Sequence, residues 1–533
     1  MFRRGVLGGA ALAGASLAGA SLVLPRPSLA QPAASRVLKF IPQANLSTID
    51  PFWTTAYIAR NHAYMVYDQL YSVDDNYKVH PAAAAGHVVE DDGRRWIFTL
   101  QSGLRFHDSE PVRARDAVAS IQRWARRDAF GQRLLTQTEE MMALDDLRFQ
   151  IRLKKPFPMM LDAFAKVTTP CLYIMPERVA RTDPFQQITD ATGSGPYKFR
   201  KDEWVPGAKA VWEKNAAYVP FGEGVARNTA GPHVAHFDRV EWHIINDPGT
   251  AAAAVQSGEI DWWEQPTADL FPSLARNRNV VVEVADPMGL IGTFRPNHLT
   301  APFNNPAVRR AVLTCISQMD MMTAVIGDDP KLKRDKVGFF APASPFGTEA
   351  GLGAYKGSIE QARREIQAAG AMGQKLVLMN ATDLASINAC GLVGADLFKR
   401  MGFDVDYVGT DWGTVVQRRA SREPLEKGGW SGFFTFWSAV DHWNPAGHNA
   451  LRGNGAQAWF GWPDIPEIER QRDAWFDALD ATAAKAATRE IQRLAFESVP
   501  YVPTGQYFQP TAYQRNLTGV LKGPPLFWNV RRV

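Results

Sequence analysis

Between Asp91 and Trp124 the hydrophobic period changes, and this constrains the fold more than any other stretch of the chain. In DDGRRWIFTLQSGLRFHDSEPVRARDAVASIQRW, Asp92-Gly93 opens a run in which Trp96, Phe98 and Leu100 share one face, the period-two pattern of a strand. Gly103 ends it, Leu104 and Phe106 follow, and Asp108-Ser109-Glu110-Pro111 makes a polar break. Beyond the break the period is about 3.6, with Ala117, Ile121 and Trp124 on one helical face. The stretch reads as a hairpin feeding a helix, a unit that many folds contain and that by itself carries no function.

The rest of the chain repeats the alternation. Arg36 to Phe40 reads as a strand stopped by Ile49-Asp50-Pro51, and Tyr57 to Leu70 as a helix. Trp204 to Trp212 reads as a hairpin strand paired with Gly193 to Tyr197, and Phe237 to Ile245 as a further strand. The Ala-rich helix Thr250 to Ser257, stopped by Gly258 and followed by the apolar Ile260 to Trp263, is an α/β crossover, so this sheet is expected to be mixed or parallel. Later, helices at 358–369 and 384–401 alternate with strands at 376–378 and 405–408. One helical stretch runs from Trp475 to Ser498, and Tyr501 to Tyr507 is strand-like. No period of 20 to 50 residues recurs, which argues against a solenoid.

Four blocks, in order, resemble the family 5 extracytoplasmic solute-binding proteins, the peptide-, opine- and nickel-chelate-binding receptors of ABC importers. They are the 91–124 stretch, with DDG, W-x-F-x-L, G-x-x-F-H-D and R-D-A-V-x-S-I-x-R, then GSGPYKF at Gly193 to Phe199, VQSGEIDWW at Val255 to Trp263, and PFNNPAVRRAV at Pro302 to Val312. The resemblance implies a two-lobed α/β periplasmic binding protein of the Venus-flytrap type, its mixed sheets flanked by helices. It divides the chain into a first lobe (36–76, 191–287 and 505–533), a subdomain inserted into that lobe (77–190) and a second lobe (288–504).

Residues 1–30 read as an export signal: Arg3-Arg4, an uncharged run from Gly5 to Leu24, and Ser28-Leu29-Ala30 before Gln31. The paired arginines point towards the twin-arginine route, and five glycines in the run argue against a permanent membrane helix. Removal of this segment deletes three arginines and no acid, lowering the formal charge from +4 to +1. Such a charge gives no electrostatic argument for nucleic acid. Cys171, Cys315 and Cys390 allow at most one disulfide and have no metal-site spacing, so stability must come from large cores.

The densest unusual segment is Gly428 to Gly455, where Trp430, Phe434, Trp437 and Trp443 surround a single acid, Asp441. A carboxylate among indoles is costly unless a positive or donor group meets it, so this segment reads as a ligand wall, or alternatively as a turn cap beside core tryptophans. The resemblance implies that Asp441 pairs with a ligand amino group, although His-Trp-Asn-Pro follows it here in place of the D-P-D-like phrase. It also implies that the turn bearing Trp53 and Thr54 borders the cleft. Arg295, with Asn297 nearby, suits a carboxylate by paired hydrogen bonds; an inter-lobe or surface salt bridge is the other reading.

Enzyme motifs fit poorly. GWSGF at Gly429 to Phe433 lacks the second glycine of a hydrolase elbow, and His233, His236 and His243 have neither helical spacing nor acidic neighbours. No cofactor or metal is expected, and the resemblance implies a monomeric, exported, periplasmic receptor. It is expected to close over a small solute, foremost a di- or oligopeptide, and to deliver it to a membrane permease. An opine, sugar or metal chelate remains the alternative cargo, and an exported hydrolase the alternative class.

Overall fold

A computed structural model describes residues 36–533, so the expected export signal lies outside the described residues. Among the described residues no helix is long and apolar enough to cross a membrane, no group of three or more His, Cys, Asp or Glu side chains suits a metal ion, and the three cysteines are buried and free.

Two open mixed sheets form the two lobes. The first has seven strands in the order Val280–Val284, Pro510–Gln514, Trp262–Trp263, Val37–Ile41, Arg239–His243, Lys209–Lys214, Tyr197–Phe199. Val37–Ile41 runs parallel to both neighbours, as the crossover pattern predicts. The second has six, in the order Lys333–Arg334, Val502–Tyr507, Leu290–Pro296, Gly432–Ser438, Lys375–Ala381, Asp404–Thr410. A separate antiparallel sheet of four strands, Ala84–Glu90, Arg95–Leu100, Arg148–Leu153 and Thr138–Ala143, packs under the helix Ala114–Ala125.

The opening stretch folds into strand and helix, and Trp96, Phe98 and Leu100 are buried with Ala117, Ile121 and Trp124. Its hairpin partner, however, is Ala84–Glu90 on the N-terminal side; Leu104–Phe106 contributes only an isolated bridge, Arg105 to Pro111. Three other expectations need correction. The helix at Tyr57 stops at Val66 because the backbone of Gly195 donates to the Val66 carbonyl at 2.8 Å, and Tyr67 is extended. The strand expected at Trp204 to Trp212 begins at Lys209. The last helical stretch is two helices, Pro466–Phe476 and Ala481–Ser498, with Asp480 capping the second through Thr482 N and Ala483 N at 2.8 Å each.

The motif residues bolt this scaffold together. Arg123, last in the R-D-A-V-x-S-I-x-R run, grips Asp50 through two hydrogen bonds of 3.0 and 2.7 Å, both side chains being buried. Asp50 also accepts from Phe52 N, Trp53 N and Ile188 N at 3.0–3.1 Å, so its charge is fully met. His107 of the F-H-D run meets Gly193 and Gly195, and a Cβ at Gly193 would stand 2.0 Å from the Val66 carbonyl oxygen. Only glycine fits there.

Candidate functional site

The lobes meet along a seam that holds cavities of about 40 and 80 Å³ at its centre and wider chambers of about 810 and 790 Å³ at its two ends. Several bonds cross it. Tyr57, first residue of the first lobe's helix, donates its hydroxyl to Asp441 Oδ2 at 2.6 Å and accepts from Ser438 N. Trp459 Nε1 donates to Thr55 Oγ1 at 3.2 Å, and Asn449 Nδ2 to the Thr169 carbonyl at 3.0 Å.

The Asp50 clamp fixes the first-lobe wall. It holds the loop that presents Trp53, Thr54 and Thr55, and Arg127 Nη2 donates to the Trp53 carbonyl at 2.8 Å. Trp53 and Thr54 both line the 810 Å³ chamber.

On the facing wall the central group is one that sequence reasoning missed. Arg419 follows the helix Trp412–Arg418, which Asp411 caps through Thr414 N at 3.0 Å. Its guanidinium is 1 % exposed and lies 5.4, 5.3 and 4.9 Å from the ring centres of Trp412, Trp459 and Phe460. Its hydrogen bonds are two long ones, 3.4 Å each, from Nη2 to the hydroxyls of Thr54 and Thr55 across the seam. Its Nε has no partner among the described residues, and no carboxylate stands within ion-pair distance. Burial pulls its pKa down to about 9, with Arg127 adding repulsion, so the group remains a cation at neutral pH. A signal was present: Trp412, Val415, Val416 and Arg419 fall at helical spacing, placing an arginine on an apolar face.

Two further orphaned atoms accompany it. Asp441 is 2 % exposed, and while Oδ2 accepts from Tyr57, Oδ1 has no partner among the described residues. Burial pushes its carboxyl up to about 6, offset in part by the Tyr57 hydrogen bond and by Lys166 and Arg60. Trp437 lines the 40 Å³ cavity beside Arg419 and Trp459, and its indole N–H likewise lacks an acceptor. Among the described residues Arg419 and Trp437 thus leave donors unpaired at the 40 Å³ cavity, and Asp441, which lines none of the four cavities, leaves an acceptor unpaired beside Tyr57. On the opposite wall Glu264, which accepts from Gln43 N at 2.7 Å, lines the 80 Å³ cavity, and burial raises its pKa to about 7.

The remaining sequence candidates stand elsewhere. Arg295 is wholly buried inside the second lobe and forms neither a cleft contact nor a salt bridge: it donates to the carbonyls of Phe460 (2.5 Å), Ala450 (2.8 Å), Pro500 (2.9 Å) and Trp459 (2.9 Å). Trp430 is also a core ring, its N–H donating to the Ser421 carbonyl at 3.2 Å, and it lines none of these cavities. The backbone alternation of Gly432–Ser438 puts Trp437 at the seam, whereas Trp430 precedes that strand. Trp443 is half-buried and stacks on Tyr77 at 6.4 Å between centroids, and Tyr77 lines the 80 Å³ cavity.

The family profile described as bacterial extracellular solute-binding proteins, family 5, matches residues 78–459. A probable peptide ABC transporter periplasmic-binding protein, y4tO of Sinorhizobium fredii, is 35% identical over 537 residues, covering 100% of this chain and 98% of that protein. The glutathione-binding protein GsiB of Salmonella typhi is 25% identical across 52% of each chain. Among solved structures, the Helicobacter pylori periplasmic binding protein DppA in complex with peptide STSA superposes with a TM-score of 0.76 at 20% identity, over 93% of this chain and 98% of that one. AgaA of A. tumefacien R10, in complex with agropinic acid, gives 0.76 at 17% identity, over 93% and 99%. At these identities the two structures establish the two-lobed fold and nothing finer.

Proposed function

The chain belongs to family 5 of the bacterial extracellular solute-binding proteins, and we propose that its solute is a short zwitterion, a di- or oligopeptide, caught in the periplasm and passed to an ABC permease. The observation that carries this reading is Arg419, a buried cation at the seam whose partners are two long hydroxyl contacts and three aromatic faces. A bound carboxylate would complete it with charge-assisted hydrogen bonds. At the same seam Asp441 offers an unpaired oxygen and Glu264 a second carboxylate, both suited to an ammonium group.

Capture needs no chemistry. Arg419 and Asp441 stand on one lobe, while Thr54, Thr55 and Tyr57 stand on the other. A solute touching both walls binds the closed form better than the open one and shifts the hinge equilibrium by that difference. The y4tO relative, named as a peptide-binding component, supports the peptide class. A neutral sugar would offer hydroxyls to Arg419 and Asp441 but leave both charges uncompensated.

Small molecules released by denaturing the purified protein and read by mass spectrometry test the proposal. Species carrying both a primary amine and a carboxylate are expected, and their amount should fall in Arg419→Gln. Recovery of a neutral sugar alone would overturn it.

A further inference from the structure

The two ends of the seam carry opposite charge. The 810 Å³ chamber is lined by Arg126, Arg127, Arg133, Arg422, Arg452 and Arg472, against which stand only Glu469 and Asp473, an excess of four positive charges. Three of these arginines are already paired: Arg133 with Asp473, and Arg452 and Arg472 with Glu469. The other three have no carboxylate partner among the described residues. Arg127 donates to the Trp53 carbonyl, Arg422 donates to the Ala456 carbonyl at 2.6 Å with its guanidinium 4.9 Å from the Trp462 ring centre, and Arg126 is exposed with no side-chain partner. The 790 Å³ chamber at the other end is lined by Asp269, Asp328, Asp329 and Asp383 and by no basic side chain.

We propose that the arginine-lined chamber receives a second anionic group of the solute, so that the preferred cargo is a peptide with an acidic side chain at its C-terminal residue. This rests on the reading that Arg419 takes the terminal carboxylate. Thr55 and Trp459 line both the central cavity and the chamber, so a single pair of side chains separates them. Ala420 and Arg422, just after Arg419, already face the chamber. A residue anchored at Arg419 has little room centrally, since 40 Å³ is on the order of one water molecule. The chamber, by contrast, has the volume of a small-molecule site. Its unpaired guanidinium groups give the chamber a net positive lining, which favours an anion and disfavours a lysine side chain. The acidic far end reinforces the same orientation, ammonium towards one end and carboxylates towards the other.

Calorimetric titration with Ala-Ala-Glu and Ala-Ala-Gln, on the wild-type chain and on the double variant Arg126→Gln/Arg422→Gln, tests the proposal; both substituted residues are exposed. The wild type should bind the glutamate peptide about tenfold more tightly, and the double variant should reduce that ratio to about twofold or less. Equal affinities in the wild type would overturn the chamber's role while leaving the Arg419 reading intact. A tenfold ratio that survives in the variant would overturn it too. Binding of neither peptide would overturn both readings together.

Discussion

Arg295 and Arg419 are the same residue, in the same lobe, equally withdrawn from water and each with its pKa pulled to about 9 by burial. Their surroundings differ in one respect. Arg295 spends its donors on four backbone carbonyls and ties the strand Leu290–Pro296 to the 450–460 loops and to Pro500. Arg419 faces two hydroxyls at 3.4 Å and keeps an idle Nε. A buried charge whose hydrogen bonds are complete serves the scaffold, and on the reading proposed above one whose bonds are incomplete is completed by the solute. The tryptophans divide likewise: Trp430 has its carbonyl partner, whereas Trp437 has none.

The largest expected effect separates the two arginines by sign. Arg295→Met strands four buried carbonyls and should lower unfolding free energy by about 3–5 kcal/mol. Arg419→Met removes an uncompensated buried cation, so the empty protein should be as stable as wild type or more so. The same variant should bind peptide about a hundredfold more weakly, through loss of a charge-assisted pair. Denaturant titration of the empty proteins, with calorimetry alongside, checks both halves. A marked loss of stability in Arg419→Met would make Arg419 a scaffold residue like Arg295 and dissolve the contrast.

How far the sequence discloses this division depends on what leaves a periodic trace. The change of period at 91–124 and the Gly258 stop encode local geometry, and the corresponding strands and helices appear close to where that geometry puts them. The boundary errors arise where tertiary contact overrides pattern, as when the Gly195 amide caps the Tyr57 helix at Val66. The site is less legible for a physical reason. The motif residues Arg123, His107 and Arg309 make bonds within their own lobe, for instance Arg309 to the carbonyls of Ser498 and Phe303, so the strongest words in the sequence describe scaffold. Asp441 and Trp437 were visible as an acid among rings. Arg419 could be read as an arginine on an apolar helix face, but only in three dimensions is it visible that Arg295 has four carbonyl acceptors and Arg419 none among the described residues.

Asp441 sharpens the contrast at the other pole of the solute. Asp441→Asn keeps an acceptor for the Tyr57 hydroxyl and so should preserve the fold, but it removes the charge that would face an ammonium group. Affinity for a peptide with a free N-terminus should fall by more than about tenfold, and affinity for its N-acetylated counterpart should change by less than about twofold. Equal losses for the two peptides would place Asp441 with the scaffold, as a support for Tyr57 and not a ligand contact.

The smallest effect is in pH. Burial raises Asp441 to about 6 in the empty protein, above an ordinary aspartate, and Glu264 to about 7. An ammonium ligand selects the ionised carboxylates, so affinity should rise with pH and level off once both are ionised. Asp441 alone accounts for about a tenfold loss between pH 7 and pH 5. Stability of the empty protein moves in the opposite direction: because the folded-state pKa lies above the unfolded one, the folded chain holds the extra proton, and these groups favour folding less as pH rises from about 4 to 7. Measuring both quantities on Glu264→Gln isolates the Asp441 share. Acid that weakened fold and ligand affinity together would mean that the carboxylate at Asp441 is already satisfied within the protein, which is the condition of Arg295 and not of Arg419.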